Sequence, residues 1–164
     1  MKTLKILALA GLLGAAGVAQ AAPQTYQLDP SHTMVLFSWS HFGFSHPSAN
    51  LALGEGTLVF DEAHPEQASV KAVLPLAGLD THVEALTEHL KKADFLDAGQ
   101  FPSVTFESTR VVPEGEGRLK VVGNLSIHGV TRPVTLDATL NRIGPHPMSK
   151  AQSIGFDEIG RASC

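Results

Sequence analysis

Eight histidines, at positions 32, 41, 46, 64, 82, 89, 128 and 146, are the side chains best suited to chemistry in this 164-residue chain. Imidazole binds zinc and moves protons near neutral pH, so the question is whether spacing lets several rings converge. His82 and His89 stand seven apart, two helical turns from each other, where a helical zinc pair needs a separation of four. His41 and His46 converge if the chain turns at Gly43, and His128 from another strand would supply a third ligand. That set defines one reading, a metal-dependent exported enzyme; the plainer alternative is a group of polar rim or surface rings. Nucleophilic catalysis has less to build on. There is no Gly-x-Ser-x-Gly elbow and no glycine-rich phosphate loop, and the single cysteine is the last residue, Cys164. One cysteine also excludes an internal disulfide and a zinc site built from thiolates. Asp29, Asp61, Asp80 and Asp97 occupy turn contexts in which a capping or turn role suffices. The sequence therefore nominates no catalytic residue, no metal and no cofactor.

The residues that stand out instead are large and apolar: Phe37, Trp39, Phe42, Phe44, Phe60, Phe95, Phe101 and Phe106. The elements that position them alternate with period two. From Leu119 to Ile127 the set Leu119, Val121, Leu125 and Ile127 shares a face with Gly123, while Lys120, Asn124, Ser126 and His128 take the other. Val134, Leu136, Ala138 and Leu140 alternate likewise with Thr135, Asp137, Thr139 and Asn141. So do Val70, Ala72 and Leu74 with their polar neighbours, and Val104, Phe106 and Ser108 with Thr105, Glu107 and Thr109. Each reads as an antiparallel strand with one wet face. Thr33 to Ser40 is apolar on both faces, with Val35, Phe37 and Trp39 on one side and Met34 and Leu36 on the other. This pattern predicts a barrel strand covered outside by another element, and the one good helix candidate is offered for that cover. It opens at Thr81-His82-Val83-Glu84 as a capping box and runs to about Lys92, with Val83, Leu86 and Leu90 on its apolar face. Turns are expected at 54–56, 61–65, 75–80, 113–117 and 144–147, with 15 Gly and 10 Pro to make them.

Lys2 and Lys5, the apolar run from Ile6 to Val18 and Ala19-Gln20-Ala21 have the layout of a cleavable export signal. The run is well short of the ~20 residues that span a bilayer, so no stable membrane anchor is expected. Residues 1–21 are read as the signal peptide and 22–164 as one β-rich domain, bound for the periplasm. Twelve Lys and Arg against 16 Asp and Glu give a net charge of −4, and no basic run exceeds Lys91-Lys92, which argues against nucleic acid as a partner. An exported β-barrel with aromatic walls suits a hydrophobic ligand; a barrel whose side chains fill its interior is the structural alternative.

Three stretches carry a family resemblance. They are Tyr26 to Thr33 leading into Phe37 to Ser45, His89 to Asp97 followed by Phe101 to Ser108, and Gly123 to Val134. In order and spacing they resemble the YceI-like family of periplasmic polyisoprenoid-binding proteins, from about Tyr26 to Phe156. The resemblance implies an all-β, lipocalin-like, extended antiparallel β-barrel with one inserted helix. Its lumen would hold a long polyisoprenoid or similar amphiphilic lipid, with no catalytic residue to carry over. Two departures are visible: Asp80-Thr81-His82 and Thr87-Glu88 stand where the family has an Asp-Thr-Gly-like start and an Arg-Asp pair. Beyond Gly155-Phe156-Asp157 the chain also departs from the family pattern, so the barrel is expected to lack its closing C-terminal strands. By strand parity, Val35, Phe37, Trp39, Phe106, Leu125 and Ile127 are the expected ligand-binding residues, with parity leaving open which face is inside.

Overall fold

A computed structural model describes residues 22–162; residues 1–21, read above as a signal peptide, and the terminal Ser163-Cys164 lie outside the described residues. Ten strands form two antiparallel sheets. The larger contains β1 (Gln24–Gln27), β4 (Glu55–Phe60), β5 (Ser69–Pro75), β7 (Ser103–Gly115), β8 (Arg118–Ile127), β9 (Val130–Pro145) and β10 (Gln152–Gly160), in the order β1-β4-β5-β7-β8-β9-β10. The smaller has β2 (Met34–Ser38), β3 (Ser48–Ala52) and β6 (Leu79–Asp80), in the order β2-β3-β6. The strands foreseen from alternation are present, and among the described residues the architecture is a nearly closed antiparallel barrel with a single α-helix. The expectation that closing C-terminal strands are lacking is not supported, because β10 pairs with β9 from Gln152 to Gly160. β1 and β10 are the edges of the larger sheet. The sheet curls far enough for Phe156 of β10 to meet Phe60 of β4 inside, ring edge to ring face, with centroids 5.7 Å apart.

Two-residue turns join the long strands. Glu116-Gly117 links β7 to β8 and His128-Gly129 links β8 to β9, all four residues having positive φ, the conformation that matches the twist of paired strands. Gly129 is required twice over: its φ is +71°, and a Cβ there would lie 2.6 Å from the Phe101 ring.

Pairing decides the orientation that parity left open. Leu119, Val121 and Ala138 are buried, whereas Lys71–Glu107 and Lys120–Asp137 pair across strands on the other face at 2.6 and 3.0 Å. Apolar positions therefore point inward and the ion pairs outward. The interior holds two packed clusters. One gathers Ala49, Leu51, Leu53, Leu74, Leu76, Leu79 and Val104; the other gathers Leu58, Phe60, Phe106, Val111, Leu119, Val121 and Ala138. Leu28 and Leu125 touch both.

The helix departs from expectation in two ways. α1 spans Glu84–Leu90, and its first turn has no side-chain cap. Thr81 instead bonds Thr87: the Thr81 N–H donates to Thr87 Oγ1 at 3.0 Å, and the two hydroxyls lie 2.9 Å apart. Buried Thr87 thus faces the protein and Val83 is exposed, while Leu86 and Leu90 of the expected apolar face are partly buried and Leu90 packs on the first cluster. A buried N–H that needs a partner outweighs one valine's preference for the interior. Nor does α1 cover β2. It contacts β6, while Met34 and Leu36 on the outer face of β2 remain 71% and 67% exposed.

Candidate functional site

All six expected site residues belong to the inner wall, in unequal company. In β2, Val35 is in register with buried Leu51 and Phe37 with buried Ala49, so Val35, Phe37 and Trp39 face inward. Phe37 and Trp39 touch each other at 5.8 Å between ring centroids. Together with Leu125 and Ile127 of β8 they pack against the first cluster. Phe106 lies in the second cluster, where its ring occupies the space over Gly123. Val35 stands apart from both clusters and is 40% exposed.

Several wall residues were not singled out beforehand. Tyr26, Val70, Val134, Leu136, Leu140, Ile143, Ile154 and Phe156 surround the second cluster and are only partly buried. The alternation of Val134 to Leu140 was the available signal. The contribution of β10 needed the bulge at Gly155/Phe156 that resets its register, a feature with no clear sequence signature. The outcome is an interior whose packed centres are flanked by inward-facing apolar side chains that both clusters leave only partly buried.

One carboxylate shares this wall. Glu158 pairs in register with buried Ala138 and so points to the inner side of β10. Although its side chain keeps surface open to solvent, burial by its surroundings, and secondarily Asp157, push its carboxyl above the usual range.

The histidines do not assemble. Among the described residues no three His, Cys, Asp or Glu side chains are placed to hold a metal. His41 is bridged to Ser45 in a hairpin tip, and His128 occupies a β-turn with its ring 5.1 Å from that of Phe101. The ligand set of His41, His46 and His128 that a metal-dependent enzyme would require is thus not formed. Asp29, Ser31 and His32 do meet. Ser31 Oγ donates to Asp29 Oδ1 at 2.6 Å, while His32 Nδ1 lies 2.8 Å from Asp29 Oδ2 and 2.9 Å from the same Ser31 Oγ. A Ser-His-Asp relay needs the acid on one ring nitrogen and the hydroxyl on the other, whereas here both converge on Nδ1. The group is a turn lock. The hydroxyl and amide of Ser31 with the His32 ring hold the Asp29 carboxyl at about 2.

Two open hollows lie outside the wall. One of about 550 Å³ runs beside β10 and is lined in part by Lys120, Thr135, Asp137, Ile159 and Arg161. Its lysine is already engaged by Asp137 and Glu114, whose hydrogen bonds raise the ammonium above its ordinary value. The other, about 300 Å³, includes Met34, Asn50 and Asp80 on the outside of the smaller sheet.

The decisive observation is the match of residues 26–162 to the YceI-like domain. The chain belongs to the YceI-like family. It is 38% identical over 146 residues to a UPF0312 protein of Azotobacter vinelandii, covering 89% of this chain and 76% of that one. It is 36% identical over 160 residues to Protein YceI of Salmonella arizonae, covering 98% and 83% respectively. Among solved structures, the Campylobacter jejuni YceI protein aligns with a TM-score of 0.59 at 26% identity, covering 80% of this chain and 76% of that one. Burkholderia cenocepacia BcnA shares the fold at a TM-score of 0.62 and 23% identity, covering 68% and 69%. YceI membership accounts for the ordered set of motifs that bring β2, β7 and β8 to one wall.

Proposed function

We propose that this YceI-like barrel binds, and carries or buffers, a long-chain polyisoprenoid or similar amphiphilic lipid in the periplasm, without catalysing a reaction. The observation that carries the reading is the incompletely buried inner wall. Phe37, Trp39, Leu125 and Ile127 face inward against a packed cluster yet keep apolar surface uncovered. A filled barrel would bury that surface in its own side chains, while an extended hydrocarbon would bury it at about 25 cal/mol per Å² of apolar area removed from water. The export signal at 1–21 supports the compartment, and the outward ion pairs suit a carrier whose exterior stays in water.

Organic extraction of protein purified from a bacterial host, followed by lipid mass spectrometry, tests the proposal. The expected result is a stoichiometric long-chain lipid. Folded protein that yields none, and takes up no fluorescent isoprenoid analogue, would overturn it in favour of the structural alternative. Phe37→Ala separates the two further. In a filled core, truncating a buried Phe costs about 3–5 kcal/mol with no ligand affected. On a half-open wall the expected cost is about 1–2 kcal/mol, accompanied by reduced lipid retention.

A further inference from the structure

We infer that the hairpin of β2 and β3 is a membrane-docking wedge, seated on the surface of a phospholipid bilayer through Phe42 and Phe44 with Met34 and Leu36 behind them. The four side chains are 86%, 92%, 71% and 67% exposed, the most open group of large apolar residues on one described element. The tip is ordered. The His41 N–H donates to the Ser45 carbonyl at 2.8 Å, the Phe44 N–H to the His41 carbonyl at 2.9 Å, and the Gly43 N–H to Ser40 Oγ at 3.2 Å. The His41 ring stands edge-on to Phe42 with centroids 4.7 Å apart. Phe42 is held at φ +52°, a left-handed conformation that Asn or Gly adopts at lower cost. The turn thus spends backbone strain to present phenylalanine to solvent.

Charge selects the occupant. From Pro30 to Gly54 there is no Asp, Glu, Lys or Arg, so all 12 basic and 16 acidic residues of the chain lie elsewhere. Between Met34 and Ser48 the polar side chains are four serines and two histidines besides the Trp39 indole. A protein partner is recognised through a polar rim around an apolar core, and this stretch has no Asp, Glu, Lys or Arg to give such a rim charge complementarity. Apolar residues backed by Trp, His and Ser are what the headgroup boundary accepts, with the apolar part buried about 5–10 Å deep. The wedge is also continuous with the inner wall, because Phe37 and Trp39 occupy its stem on the opposite face from Leu36. Docking through the tip would bring that wall next to the bilayer. This last consequence rests on the lipid-carrier reading; the docking itself does not.

Co-flotation of the full chain with pure phosphatidylcholine vesicles, free of isoprenoid, tests the inference. The chain is expected to float with the vesicles and to stay bound in high salt, with little gain when phosphatidylglycerol is added, because no charged side chain takes part. Phe42→Ser and Phe44→Ser are each expected to weaken partitioning about tenfold with unchanged thermal melts. Phe44→Trp is expected to add emission that shifts to the blue on vesicle addition. No flotation, equal flotation of the double serine variant, or self-association through the tip without vesicle binding would each overturn the inference. None of these outcomes alters the lipid content read by extraction, so the carrier reading and the docking reading fail separately.

Discussion

Gly123 is buried because Phe106 needs its space: a Cβ there would fall on the Phe106 ring and lie 2.7 Å from the Glu107 carbonyl oxygen. Gly123→Ala is therefore expected to cost about 1–3 kcal/mol in chemical denaturation, the usual penalty of overpacking. Gly43→Ala is the control, since a Cβ there meets nothing and only its φ of +79° resists substitution, at about 1–2 kcal/mol. A loss at Gly123 no greater than at Gly43 would mean that the Phe106 ring moves aside. Glu158 makes a prediction in pH. Its raised carboxyl pKa means that the folded chain holds the proton more tightly than the unfolded chain does. Below the ordinary value of 4.5 both states are protonated and no penalty exists; as pH rises through the folded value, the ionised carboxylate costs stability. Glu158→Gln is expected to raise the melting temperature at neutral pH and to lose that advantage in acid. A gain of the same size at every pH would assign the effect to packing instead.

At the level of elements, the link between Thr81 and Thr87 fixes α1. Thr87→Val removes the acceptor of the buried Thr81 N–H and is expected to cost about 1–3 kcal/mol, whereas Val83→Ala on the exposed side should stay within about 0.5 kcal/mol. Urea melts of the two variants check the order, and the reverse order would restore the capping box and the Val83 face. Why some elements were legible in the sequence and others not follows from the physics of each. β5, β7, β8 and β9 alternate because one face meets water and the other the interior, so parity exposes them and places Phe106, Leu125 and Ile127 on one wall. β2 is apolar on both faces, and the sequence could not distinguish a covered strand from one left open. Met34 and Leu36 proved to be open. β1, β3, β4 and β10 are short, small-residue-rich or bulged, and their places depend on partners distant in sequence, such as Tyr26 opposite Leu58. The histidines offered residue type without geometry: His41 lies in the β2–β3 hairpin tip and His128 in the β8–β9 turn, and among the described residues no three potential ligands meet.

For the whole molecule, the account turns on an interior that is packed at two centres and apolar but incompletely covered beside them. Strand register and outward ion pairs fix which face is inside, and the YceI-like match over residues 26–162 agrees with that architecture. The central claim is that this wall, and neither outer hollow, is where a long hydrocarbon lies. Photo-crosslinking with a long-chain isoprenoid bearing a photoactivatable group along its hydrocarbon tail, followed by peptide mapping, tests it most directly. Adducts are expected on the segments that carry Val35, Phe37 and Trp39 and those that carry Leu125 and Ile127, and to be lost on competition with unlabelled lipid. Adducts concentrated on the outer groove at Lys120, Asp137 and Arg161, or labelling that unlabelled lipid does not displace, would contradict the account.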